Sequence, residues 1–159
     1  SVNGAWDLAS TWESSVNGSS GWGPSTLAPT NAAKGITIRS GANVYFLIPF
    51  GTYTANKLTI DAGGTLNHTV TSNLVIKKNG TSPAFTIYGT YVLNGTMPDV
   101  ATNNAICQIE AGGVVRVDDN LFGLGTSDDF AYDNSIKVFF LTDAVFQWNQ
   151  CIFSGSSIH

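Results

Sequence analysis

Charge is what this sequence has least of. Seven Lys plus Arg and eleven Asp plus Glu among 159 residues make a charged fraction of 11%, where about 25% is usual. So few cations, under a net charge of −4, leave no basic stripe to neutralise phosphates, and nucleic acid is not an expected partner. Only two cysteines occur, Cys107 and Cys151, in no CxxC or Cys/His spacing, which leaves a zinc or redox motif unsupported. Long apolar runs are missing too. The longest, VYFLIPF at 44–50, falls far short of the about 20 residues a spanning helix needs, so no membrane span is expected. Glu, Lys, Gln and Arg are scarce, and with them the usual material of helices.

What fills the gap is Gly, Ser, Thr and Asn between β-branched and aromatic residues, with 43% apolar content overall. That is the composition of short strands and turns around one core, so the expected class is all-β. The chain starts at Ser1 without Met, which is read as a processed or excised piece.

The strands repeat. LTIDAGGTL (58–66) and CQIEAGGVV (107–115) are one pattern written twice, and Ile38, Ile60, Ile87 and Ile109 each precede a Gly-containing corner at spacings of 22, 27 and 22. Such a period marks a repeat architecture. Within a unit, Leu58 and Ile60 share one face of a strand, Thr59 and Asp61 take the other, and Gly63-Gly64 turns the chain before Leu66 faces inward again. No helix pattern intervenes, which suits a coil of a parallel β-helix better than a doubly wound sheet. Gly63, Gly64, Gly112 and Gly113 are read as structural corners, two coils apart, needed for positive φ or for close backbone approach. Neither pair fits a phosphate-binding Gly motif.

The stretches GAWDLASTWE (4–13), ITIRSGANVYF (36–46), NKLTIDAGGTLNHTVTSNLVIKKNG (56–80) and GTYVLNGTM (89–97) resemble the opening coils of large secreted, adhesin-like surface proteins of Bacteroidota. The resemblance covers roughly residues 4–120. It implies a right-handed parallel β-helix and an extracellular or cell-surface location, and it brings no catalytic residues. The expectation is therefore a β-helix with coils of about 22 residues, residues 1–30 forming a Trp/Gly-rich cap and 31–159 the coils. The expected role is a non-catalytic structural or adhesive module, self-assembling into fibres or part of a larger surface protein.

Several residues are candidates for chemistry. Trp6, Trp12 and Trp22 either cover the open end of the first coil or stack on sugar rings as glycan contacts. Asp118, Asp128, Asp129 and Asp133 supply hard oxygen ligands for a structural calcium ion, without EF-hand spacing, and no other cofactor is expected. The alternative is a carbohydrate-active β-helix enzyme, a polysaccharide lyase or glycoside hydrolase, or a glycan-binding module. An enzyme needs facing carboxylates, and Arg116 near Asp118 is the sole acid–base neighbourhood. Asn17, Asn67, Asn79 and Asn94 head Asn-x-Ser/Thr triplets, acceptors for N-glycans in a secreted chain. Phe139, Phe140, Phe146 and Trp148 in the aromatic C-terminal segment form a candidate self-association patch. Partners are accordingly another copy stacked head to tail, the rest of a larger surface protein, or cell-surface glycans. Cys107 should face inward with Ile109, and Cys151, 44 residues on, should lie two coils away, so both thiols are expected free. Thr52 and Thr54 put two hydroxyls on one side of a strand, as do Thr69 and Thr71, but the pairs are 17 residues apart and off the repeat. His68 and His159 are isolated.

Overall fold

The computed structural model describes residues 1–49, 51–68, 72–77, 81–93, 106–118, 137–140, 143 and 145–149. Among them the chain is strand and turn, with one 3-10 helix at Ala9–Thr11. One six-stranded sheet runs in the order β1 (Gly4–Ala5), β5 (Asn43–Tyr45), β8 (Thr65–His68), β11 (Thr90–Leu93), β13 (Val114–Asp118) and β15 (Val145–Asn149). A five-stranded sheet runs β14 (Lys137–Phe140), β12 (Ile106–Ile109), β10 (Phe85–Ile87), β7 (Leu58–Ile60) and β4 (Ile36–Ile38). Every pairing in both is parallel. A third, parallel pair joins β6 (Thr52–Ala55) to β9 (Asn73–Ile76), and β2 (Glu13–Ser14) pairs antiparallel with β3 (Gly23–Pro24). The class is all-β with parallel sheets, and each strand pairs with its counterpart one repeat away.

The alternation in the sequence explains the core. In β4, Ile36 and Ile38 are buried and Thr37 is exposed; in β7, Leu58 and Ile60 are buried and Thr59 is half-buried. Pairing then stacks like on like: Ile38, Ile60, Ile87 and Ile109 form one column, each at most 1% exposed. Val44, Leu66, Tyr91 and Val115 form the facing column in the other sheet. Each such aliphatic side chain contributes about 1.5–3 kcal/mol by burial. A one-residue slip would turn whole columns outward, which is why the register is firmly specified.

The corner between the two sheets divides its work between two positions. Gly41, Gly63 and Gly112 have φ of 77°, 79° and 76°, and Asp143 takes the same conformation at 67°. The pairings place these residues at equivalent points, three after Ile38, Ile60, Ile109 and Phe140. The next position packs against the repeat before it. A Cβ on Gly64 would meet the carbonyl oxygens of Ile38 and Arg39 at 2.8 and 2.9 Å, on Gly89 those of Asp61 and Gly64, and on Gly113 that of Ile87. Ala42 holds this second position at the first corner, which stacks on no earlier one.

Repeat length is not constant. From Ile38 the column advances by 22, 27, 22 and then 31 residues to Phe140. The corner after Ile87 is Tyr88-Gly89 alone, two residues shorter than the others, so the extra length lies elsewhere in the repeat. The 31-residue step departs from the 22 that would set Cys151 two coils from Cys107, and Cys151 itself lies outside the described residues.

At one end of this stack the sheets meet the N-terminal segment. β1 pairs with β5, and behind it Trp6 and Trp12 are buried at 2% and 6% exposure. Their rings meet edge to face at 5.2 Å, and Trp6 also packs edge-on against Phe46 and Tyr53, which stack on each other at 4.0 Å. Both indole N–H groups are satisfied, by the carbonyls of Pro29 and Trp6, as burial of Trp requires.

Candidate functional site

Beside this aromatic cluster lies an open groove of about 360 Å³. Its floor is Trp6, Asp7 and Tyr53; one wall is the segment 28–31 and the other is β6, through Thr52 and Thr54. Asp7 follows buried Trp6 at the end of β1, which holds its carboxylate over the groove. The Tyr53 hydroxyl donates to Asp7 Oδ2 at 2.9 Å and accepts from the Ile48 amide at 3.0 Å. Burial, and then the Asp7 carboxylate against the opposing pull of the Ile48 amide, raises the Tyr53 phenol above its ordinary value. Asp7 is the sole residue lining the groove that carries a full charge, and Oδ1 has no partner among the described residues.

A second polar cluster is fully interior. His68, 0% exposed, uses both ring nitrogens: Nε2 lies 2.7 Å from the Ser72 carbonyl and Nδ1 2.8 Å from the Tyr91 hydroxyl. A carbonyl only accepts, so the ring proton is on Nε2 and Tyr91 donates to Nδ1. Burial lowers the His68 pKa, opposed by the hydrogen bond to Ser72. The cluster is satisfied and closed to solvent, which makes it structural.

The residues singled out from sequence fall in several places. Trp6 and Trp12 are buried with their rings packed on each other, Trp6 also on Phe46, and Trp6 in addition lines the groove. Trp22 is 44% exposed, but the Arg39 guanidinium lies 4.6 Å over its ring, and Arg39 also pairs with Glu13 at 2.8 Å. Gly63 and Gly112 are corner residues of positive φ, and Gly64 and Gly113 the close-contact partners. Asp118 ends β13; Asp128, Asp129 and Asp133 lie outside the described residues, and no group of three or more metal-binding side chains occurs among the described ones. Asn17 is exposed, yet its side chain is committed to its own loop: Oδ1 accepts from the Ser19 and Ser20 amides, and Nδ2 donates to Ser20 Oγ. Asn67 is half-buried in β8 with Nδ2 donating to Asn43 Oδ1; Asn79 and Asn94 lie outside the described residues.

In the C-terminal strands, backbone pairing sets Phe139 opposite Gln108, Phe140 opposite Ile109, Phe146 opposite Val115 and Trp148 opposite Val117. Cys107 is a free thiol packed against the core, and burial pushes its pKa up to about 12, so it stays protonated. Cys151 and His159 lie outside the described residues. Asp7 and Tyr53 escaped the sequence reading; the signal available was a lone carboxylate inside the apolar AWDLA, facing a tyrosine some 46 residues on.

No protein-family model, curated protein or solved structure matches the chain. No helix among the described residues is long and apolar enough to cross a membrane.

Proposed function

We propose that this chain is a right-handed parallel β-helix acting as a non-catalytic structural and adhesive module of an extracellular or cell-surface protein. One observation carries the reading: successive repeats stay in unbroken register through two parallel sheets, with stacked apolar columns inside and mainly Thr, Asn and Gln at the outward positions. Strands that return to the same sheet through intervening strands favour a right-handed path, as parallel crossovers almost always do. A stack of this kind is a rigid spacer whose length grows with repeat number, and its polar faces and low charge suit display outside the cell. The covered N-terminal end works against head-to-tail fibres, since β1 already occupies the β5 edge that an incoming copy would pair with. The reading therefore places the chain as one segment of a larger surface assembly.

The test is depolymerisation. The purified chain, incubated with neutral and acidic polysaccharides, should release neither reducing ends nor unsaturated uronate; release of either product makes the chain a carbohydrate-active enzyme and overturns the proposal.

A further inference from the structure

The N-terminal end of the stack has three sheet edges among the described residues. β1 pairs along β5, and on the β4 side the Arg39 amide, one residue past the strand, donates to Ser1 Oγ. The third edge, β6, has among the described residues a strand on one side only, β9. Hydrogen bonds of a parallel pair alternate along the strand. The Gly51 and Ala55 carbonyls accept from Asn73 and Lys77 of the β9 side, so Tyr53 shares their side, and the N–H and C=O of Thr52 and Thr54 point the other way. Thr52 and Thr54 line the groove, and no hydrogen bond among the described residues reaches these outward groups.

We propose that the β6 edge is a docking site for an extended polypeptide segment of a partner protein, which adds a strand in the groove and places a Lys or Arg against Asp7. Backbone groups at Thr52 and Thr54 offer two donors and two acceptors in strand geometry, the requirement for strand addition. The neighbouring β5 edge is closed in the same manner, by extended backbone. Asp7 adds the charge preference, since its Oδ1 pairs with no cation among the described residues. The inference rests on the alternation along β6 and stands whether or not the adhesive role does.

Two measurements test it. In the free protein, amide exchange should alternate: Tyr53 and Ala55 protected, Thr52 and Thr54 fast. Protection at all four overturns the open edge. A displayed library of random octapeptides is then selected on the intact chain, with soluble oligosaccharides screened in parallel. Enriched peptides should carry Lys or Arg and lose about tenfold in affinity to Thr54→Pro. That substitution deletes an outward N–H but no β6–β9 bond, and unchanged melting confirms the fold. Thr54→Val, which keeps the amide, should bind within about threefold of the parent. Asp7→Asn should remove the preference for basic peptides. No enrichment, equal binding by Thr54→Pro, or binding of saccharides alone each overturns the proposal.

Discussion

Gly89 and Gly112 sit at corners of the same stack for different reasons, and substitution separates them. A methyl group on Gly89 would collide with the Asp61 and Gly64 carbonyl oxygens, which belong to backbone that cannot move without breaking the ladder. Gly89→Ala should therefore cost about 3 kcal/mol or more, as overpacking does. Gly112 has open space around it and needs only its positive φ, so Gly112→Ala should cost about 1–2 kcal/mol. Urea unfolding of the two variants against the parent measures the difference; equal losses would remove the division of labour at the corner. The doubled glycine was legible as punctuation because it recurs. What each half does was not, since it depends on which atoms of the preceding repeat lie beneath it.

At the scale of elements, β8 and β11 are tied together inside by His68 and Tyr91. The folded state holds this imidazole neutral with a lowered pKa, while the unfolded chain protonates it near the ordinary value of 6.5. Below that value the unfolded state binds the extra proton, so stability present at neutral pH is lost as the pH falls from 6.5 toward the folded value. Equilibrium unfolding at pH 8 and pH 5.5 should show this loss in the parent, and His68→Gln should be less stable at pH 8 but flatter across the range. An equally steep fall in the variant would assign the acid sensitivity to other groups. The isoleucine column was legible in the sequence, because alternation and a 22-residue step repeat before each corner. The histidine was not: its partners are a tyrosine one repeat away and a backbone carbonyl, and neither leaves a pattern. The 31-residue step was equally hidden, since a long excursion between strands carries no periodicity of its own.

For the whole molecule, the N-terminal segment decides what one end of the stack can do. Removing residues 1–30 would uncover the β5 edge and strip the Trp6 ring, itself packed on Trp12, from Phe46 and Tyr53. Light scattering across a concentration series should then find a monomeric parent and a self-associating deletion variant, as exposed edges and aromatic faces require. A deletion variant that stays monomeric would mean the edge is protected by something other than β1. The groove itself was beyond sequence reading: its floor and walls come from residues 6–7, 28–31 and 52–54, and its polarity from which amides of β6 turn away from β9. Ala42 marks the repeats as unequal in heredity as well as in place. A gene duplication copying the second repeat would set Gly64 above a four-residue corner like the one it already stacks on, with no Cβ to meet the carbonyls beneath. One copying the first would carry the Ala42 methyl into the carbonyls of the repeat below, so growth of this lineage by duplication has to start after the first rung.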